Sequence, residues 1–196
     1  MAKVDTRIRI LEAARVCLLS DGYAAMSTRK VAVEASVPLS QIHYHFGSKA
    51  DLILAVLRSE NDSLLDRQAK MFSEDLPLSK RWDMACDFLD QDLESGYVRV
   101  LHEMMAAGWS SEAVGAEVRS MLMGWTRVLL QVAESAEKAG IRFGILTPDD
   151  VVALVVAAFL GSESMILLGF EGEGMPLRQS LRRMGVLIKG LEEGTE

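Results

Sequence analysis

The strongest constraint on the fold is an apolar repeat at helical spacing that recurs along the chain. After Ser110, apolar residues follow one another at intervals of four and three positions, namely Val114, Val118, Met121, Trp125, Val128 and Val132. Such intervals place side chains on one face of an α-helix. The last segment repeats the pattern at Leu177, Leu181, Met184, Ile188 and Leu191. Because the 196 residues also include only four prolines and 6% aromatics, we predict an all-α fold of about nine helices.

Local signals predict where several of these helices begin and end. Gly22 stands where a residue with positive φ would end the first helix. Ser27 can cap a short second helix, and Pro38 suits the first turn of a short third one. Ser48, three residues before an aspartate, predicts the capped start of a long fourth helix, and Thr147 before a proline predicts another start. Three short helices therefore precede a long one.

Charge is unevenly distributed along the chain. Residues 1–58 hold eight Lys or Arg against five Asp or Glu, a net charge of +3, whereas the remainder holds 13 against 23, a net charge of −10. This asymmetry favours a polyanion contact in the N-terminal part. Two short helices before a longer capped one are typical of a helix-turn-helix, so we predict a three-helix DNA-binding domain over residues 1–57 and a second helical domain over residues 58–196.

The second predicted helix begins with two cations, Arg29 and Lys30, where the helix dipole normally favours acidic residues. A phosphate docked at this terminus would explain them, since unpaired backbone N–H groups and positive charge would act together. Two solvated side chains are an equally good explanation of this feature alone. Lys49, in the first turn of the fourth helix, is a further candidate phosphate contact.

The third predicted helix is unusually rich in groups that can hydrogen-bond bases or phosphates: Ser40, Gln41, His43, Tyr44 and His45. His43 and His45 also suggest a metal-ligand pair. Residues two apart on a helix point about 200° away from each other, however, and His102 is the only other histidine. We therefore predict no metal site and no cofactor.

At this point the chain resembles the TetR family of transcriptional regulators over residues 7 to about 57. The resemblance rests on Ile10-Leu11-x-Ala13-Ala14, Asp21-Gly22-Tyr23 and, above all, Tyr44-His45-Phe46-Gly47-Ser48-Lys49-x-x-Leu52. Two positions depart from the family pattern: Ser36 replaces the usual turn glycine, and His43 replaces an aromatic residue. A left-handed serine would cost about 1 kcal/mol.

The resemblance implies that Arg29, Tyr44 and Lys49 hold the DNA backbone, and that Leu39, Ser40, Gln41 and His43 face the bases. The whole predicted DNA-binding set is Ser27, Thr28, Arg29, Lys30, Leu39, Ser40, Gln41, His43, Tyr44, His45 and Lys49.

The rest of the chain carries no motif, and the resemblance implies a helical domain that dimerises and binds an effector. We expect the effector to be a mostly apolar small molecule that could carry a hydroxyl or a positive charge. Methionine and aromatic residues supply adaptable apolar volume, although core packing is the commoner role for each of them. The predicted effector-binding residues are Phe88, His102, Met105, Trp109, Met121, Trp125 and Glu163. A buried Glu163 would need a partner, and pairing across the dimer is favoured over ligand contact.

Residues 151–170 are apolar enough to suggest a membrane span, but Glu163 interrupts them centrally. We instead expect a fully buried helix, pressed between its own core and a partner subunit. With the last helix it would form a four-helix dimer interface. The predicted interface residues are Val152, Val156, Phe159, Leu177, Leu181, Met184 and Ile188.

We therefore expect a cytoplasmic homodimeric repressor that binds a palindromic operator in double-stranded DNA, is released by its effector and inserts into no membrane. Cys17 and Cys86 lie far apart and no secretory leader is recognisable, which favours a reducing compartment. An enzyme is disfavoured because no phosphate-binding loop or nucleophile elbow occurs. A helical ligand carrier or adaptor that does not bind DNA remains the alternative.

Overall fold

The computed structural model describes residues 5–73, 76–172 and 174–194. These residues form nine helices and no strand beyond an isolated bridge between Gly172 and Met175, so the predicted all-α fold is confirmed. The helices are α1 (Thr6–Ala25), α2 (Thr28–Glu34), α3 (Leu39–Phe46), α4 (Lys49–Ser73), α5 (Leu78–Ser95), α6 (Tyr97–Gly108), α7 (Glu112–Lys138), α8 (Pro148–Leu167) and α9 (Leu177–Glu193).

The predicted caps of α2 and α8 are confirmed, whereas α1 continues to Ala25 instead of ending at Gly22 as its sequence predicts. Gly22, with φ 82° and ψ 173°, interrupts α1. The Ser27 hydroxyl accepts a hydrogen bond from the backbone N–H of Lys30 at 3.2 Å and so caps α2. Thr147 and Asp150 form a reciprocal capping box at the start of α8. These ends depend on residues close in sequence, which explains why the sequence predicts them.

The chain divides into two compact units that do not follow one boundary in sequence. The first contains the described residues up to Ser63 together with Glu94–Met121, and the second contains Leu64–Leu93 and the described residues from Leu122 onwards. The chain leaves the first unit along α4 and returns to it with α6, which packs against α1. The predicted boundary between residues 57 and 58 follows the sequence motif, whereas packing groups α6 and the start of α7 with α1, α2, α3 and the part of α4 up to Ser63.

Large apolar side chains are most completely buried in the first unit: Ile10, Leu18, Met26, Val31, Ile42, Leu52, Ile53, Val56, Leu57, Val100 and Met104. They come from α1, α2, α3, α4 and α6, and Met26 is the residue that caps the end of α1. Burial of side chains of this size stabilises a domain by about 1.5–3 kcal/mol each before the entropic cost of folding. The short α2 and α3 are therefore held by packing rather than by their own propensity.

The second unit has a smaller core around Phe159 of α8. Cys86, Leu89, Phe159 and Leu181 are buried together. The Trp82 and Trp125 rings meet Phe159 edge-on, with centroid distances of 5.5 and 6.1 Å. The Trp82 indole N–H also donates to the carbonyl oxygen of Leu181 at 2.6 Å, which ties α5 to α9.

Helix α8 is not fully buried in this chain, which corrects part of the expectation from its sequence. It is the one helix among the described residues that is long and apolar enough to cross a membrane by length and composition. Its buried positions include Val152, Phe159 and Glu163, whereas the side chain of Leu154 is 59% exposed. One face of this apolar helix is therefore open to solvent in the single chain.

Three residues predicted at the dimer interface need correction, because they are buried within their own subunit. Phe159 is 5% exposed in the single chain, and Val152 and Leu181 are similarly covered. A partner has almost no surface of these residues left to bury. The apolar repeat in sequence identifies the face that packs on the chain's own core, and it does not distinguish that face from one that packs on a second subunit. Val156, Leu177 and Ile188 are half-buried, and Met184 is exposed.

Candidate DNA-binding surface

The start of α2 presents two cations in different environments. The Arg29 side chain is exposed and makes no ion pair with any residue in the described part of the chain. Lys30, by contrast, pairs with the carboxylate of Asp21 at the end of α1. This hydrogen bond raises the pKa of Lys30 and lowers the pKa of Asp21. Of the two predicted phosphate contacts, Arg29 is therefore the more available.

Helix α3 separates a buried face from a polar one. Ile42 and Phe46 are buried against the first unit, whereas Ser40 and His43 are exposed and Tyr44 has 81% of its surface exposed. A polar face of this kind on the second short helix of the motif can reach base edges in the major groove.

The turn between α2 and α3 is held by a residue that sequence reasoning missed. Ser36 adopts φ 51°, the left-handed conformation expected for the position of the usual glycine. The Arg9 guanidinium of α1 donates hydrogen bonds to the carbonyl oxygens of Ala35 at 2.5 Å and of Ser36 at 3.1 Å. No local sequence signal could have identified Arg9, because the contact joins residues 26 and 27 positions apart. Arg9 satisfies the carbonyls left unpaired by the turn.

The start of α4 brings Lys49 close to the last residues of α1. The Lys49 ammonium lies 5.0 Å from the centre of the Tyr23 ring and 3.5 Å from the carbonyl oxygen of Ala24. Ser48 and Asp51 form the predicted capping box, in which the Ser48 hydroxyl accepts from the Asp51 N–H at 3.1 Å. The cation and the N-terminal N–H groups of α4 therefore lie together, as a phosphate contact requires.

The structure places most of the predicted DNA-binding residues at accessible positions of the first unit. The exposed members are Ser27, Arg29, Lys30, Ser40, His43 and Tyr44, and the half-buried members are Thr28, Leu39, Gln41, His45 and Lys49. All of them lie on α2 or α3 or at the cap or start of α2 or α4, which are consecutive helices of the first unit.

The predicted effector-binding residues are divided between the two units. His102, Met105, Trp109 and Met121 belong to the first unit, and Phe88, Trp125 and Glu163 belong to the second. Trp109 is 85% exposed at the C-cap of α6, so its place in an effector site stays a prediction.

In the second unit, Phe88 packs under the guanidinium of Arg67, which lies 4.3 Å from the ring centroid. Arg67 also donates two hydrogen bonds to the carboxylate of Asp92, at 2.9 and 3.0 Å. Glu163 is 8% exposed, and it has an interaction partner within the chain, as a buried carboxylate requires. In the described parts of the chain, no group of three or more His, Cys, Asp or Glu residues is arranged to hold a metal ion.

Comparison with known proteins identifies the segment that runs from α1 to the first part of α4. Residues 10–56 match a family model described as "Bacterial regulatory proteins, tetR family". Over 192 residues the chain is 25% identical to the HTH-type transcriptional regulator UidR of Escherichia coli, covering 91% of this chain and 90% of that protein.

Two solved structures are similar in fold. A transcriptional regulator from Saccharomonospora viridis in complex with choline superimposes with a TM-score of 0.72 at 22% identity, covering 92% of this chain and 95% of that one. The regulator FadR from Bacillus subtilis in complex with stearoyl-CoA superimposes with a TM-score of 0.73 at 14% identity, covering 91% and 97%. The likeness therefore extends beyond the DNA-binding motif to the helical remainder of the chain.

Proposed function

We propose that this chain is a cytoplasmic repressor of the TetR type that binds a palindromic operator as a homodimer, because residues 10–56 match the tetR model of bacterial regulatory proteins. A mostly apolar small molecule releases it from DNA.

One observation carries the DNA-binding part of this proposal: two helix starts and one polar helix face lie in the same small unit. The N-terminus of α2 carries Arg29, the N-terminus of α4 carries Lys49, and α3 exposes Ser40, His43 and Tyr44. Phosphates bound at the two helix starts would fix the orientation of the unit on the duplex. The polar face of α3 would then read the bases.

Dimerisation is supported by exposed apolar stripes on α8 and α9. Leu154 and Leu168 are exposed along α8 and at its C-cap, and Val186, Leu187 and Leu191 are exposed along α9. Exposed apolar residues at helical spacing on two helices are typical of an interface rather than of a solvated surface. A two-fold dimer would space two α3 helices for successive major grooves, about 34–36 Å apart.

The effector proposal is supported by the composition of the second unit and by the structural neighbours. Phe88 and Trp125 are half-buried apolar rings, and Glu163 is a buried carboxylate. One neighbour was solved with choline and another with stearoyl-CoA. An apolar effector with a hydroxyl or a cationic group would suit the residues of this chain. Release from DNA requires that it favour the non-binding state by about 1–3 kcal/mol or more.

The test is selection of bound fragments from random duplex DNA, followed by fluorescence anisotropy of the selected duplex at several salt concentrations. We expect a palindromic consensus and an affinity that falls steeply with salt, by a slope of about 0.9 in log K per log salt for each phosphate contact. Lys49→Ala should reduce this slope by about 0.9, the value for one phosphate contact. Absence of binding to every duplex at low ionic strength would contradict the proposal and favour a ligand carrier.

Arg127→Ala is the matched control, because Arg127 is an exposed cation of α7 outside the three DNA-contacting segments. It should leave the affinity and its salt dependence unchanged. Thermal-shift measurements with apolar hydroxylated and quaternary-ammonium compounds then test the effector. A stabilising compound that also lowers operator affinity is the expected result, and stabilisation with unchanged operator affinity would contradict release.

A further inference from the structure

The break in α1 leaves one backbone donor and one backbone acceptor without their helical partners. In a continuous helix, the N–H of Tyr23 would donate to the carbonyl oxygen of Leu19, four residues earlier. Gly22, at φ 82°, prevents this hydrogen bond. Unpaired backbone groups of this kind are costly unless other groups satisfy them.

Helix α6 supplies both replacements. The Arg99 guanidinium donates a hydrogen bond to the carbonyl oxygen of Leu19 at 2.7 Å, and the carboxylate of Glu103 accepts one from the N–H of Tyr23. Arg99 and Glu103 are four residues apart and therefore lie on the same face of α6. This pair of side chains substitutes for the backbone hydrogen bond that Gly22 removes.

Two glycines permit the close approach of α6 to the break. A Cβ atom at Gly22 would lie 3.0 Å from Glu103 Oε1, and one at Gly96 would lie 2.6 Å from the carbonyl oxygen of Leu19. Both glycines also have positive φ, 82° and 85°. The contact between α1 and α6 at this point therefore requires glycine at both positions.

The residues around the break hold the DNA-binding cations. Immediately after it, the Tyr23 ring and the Ala24 carbonyl lie 5.0 and 3.5 Å from the ammonium of Lys49. Immediately before it, Asp21 pairs with Lys30. The path of the backbone at Gly22 therefore determines where the partners of both lysines lie.

We propose that Arg99 and Glu103 are positioning residues for DNA binding: they hold the broken turn of α1 so that Tyr23 and Ala24 set the Lys49 ammonium for a phosphate. This inference rests on the proposed function. Arg99 and Glu103 lie far in sequence from the helix-turn-helix and affect DNA binding only through Lys49, without touching DNA themselves.

The test compares Glu103→Leu with Glu103→Gln, using the operator duplex selected with the wild-type protein. Both substitutions remove a negative charge, which by itself would strengthen binding to DNA. Only the glutamine retains an oxygen that can accept the Tyr23 N–H. We expect E103L to bind more weakly and to lose about 0.9 from the salt slope, while E103Q keeps the wild-type slope.

The matched control is Glu60→Leu. Glu60 of α4 also contacts α1, accepting a hydrogen bond from Arg15 at 2.6 Å, but it touches none of the DNA-binding cations. E60L should keep the wild-type salt slope. In a Lys49→Ala background, E103L should cause no further loss of slope, because Glu103 acts through Lys49.

Several outcomes would overturn the inference while leaving the proposed function standing. These are a wild-type slope in E103L, equal loss in E103L and E103Q, or a further loss of slope when E103L is added to K49A.

If E103L does not fold, the rate of hydrogen exchange at the Tyr23 amide of the wild-type protein provides the test. The Tyr23 amide should exchange at least tenfold more slowly than an unstructured reference, and exchange at the reference rate would overturn the inference. Failure of the wild-type protein itself to bind DNA would refute the proposed function instead.

Discussion

The Nδ1 atom of His43 lies 3.0 Å from the carbonyl oxygen of Gly47, one turn further along the chain. A carbonyl oxygen can only accept, so Nδ1 carries the proton in this contact. In the neutral ring, Nε2 is then an acceptor on the exposed face of α3. The residue that departs from the family pattern is therefore oriented by the turn that ends its own helix.

The orientation of His43 predicts a role in base selection. Neutral Nε2 can accept a hydrogen bond from the exocyclic amino group of cytosine or adenine in the major groove. His43→Ala should relax the preference at one operator position by about tenfold, within the 1–3 kcal/mol typical of a base contact, and leave the salt slope unchanged. Binding to duplexes substituted one position at a time measures this. Val33→Ala, an exposed position on α2, is the control, and an unaltered base preference in H43A would show that His43 does not read a base.

Arg29 and Lys30 should differ in their contribution to DNA affinity, although they are adjacent in sequence. Arg29 is exposed without an ion pair in the described part of the chain, whereas Asp21 neutralises Lys30. We expect Arg29→Ala to lower the salt slope by about 0.9 and Lys30→Ala to lower it less. Asp21→Asn should strengthen binding, because it releases Lys30. Anisotropy titrations across a salt series provide the measurement, and equal slopes for R29A and K30A would contradict the distinction.

Substitutions at buried positions of α8 should lower stability, whereas substitutions at its exposed positions should weaken the dimer. Phe159→Ala removes a buried ring and should lower the free energy of unfolding by about 3–5 kcal/mol in denaturant titrations. Leu154→Glu places a charge on the exposed stripe and should instead raise the dimer dissociation constant, as measured by sedimentation equilibrium. Leu187, which is 63% exposed on α9, provides a second such position. If L154E and L187E sediment as the wild-type protein does, the exposed stripes are not the interface.

The two thiols should be unreactive in the folded protein. Burial raises the pKa of the Cys86 thiol to about 11 and also raises the pKa of Cys17. A raised pKa lowers the fraction of thiolate, which is the reactive species, at every pH below it. At pH 8 an aromatic disulfide reagent should therefore modify neither cysteine in native protein and both in denaturant. Rapid modification of native protein would contradict the buried positions, and the Cys17→Ala variant would assign the signal to Cys86.

Helix caps and the helix-turn-helix were predictable because their causes are local. Ser27, Ser48 and Thr147 each bond to a backbone or side-chain group three residues away, so a short window of sequence contains the whole interaction. The left-handed Ser36 was expected from the family resemblance, which places a turn glycine at this position. The dimer residues were less predictable, since Phe159 and Leu154 share one apolar helix and differ only in what surrounds them.

The amino-acid sequence by itself determined the all-α class and most of the helix boundaries, because these follow from periodicity and neighbouring side chains. Only the tertiary structure decided that α6 belongs with the DNA-binding unit and that Arg9, Arg99 and Glu103 satisfy backbone groups of distant turns. It also decided which face of α8 remains open. Those features depend on contacts between residues far apart in the chain, and a hydrogen bond such as that from Arg99 to Leu19 leaves no periodic trace in sequence.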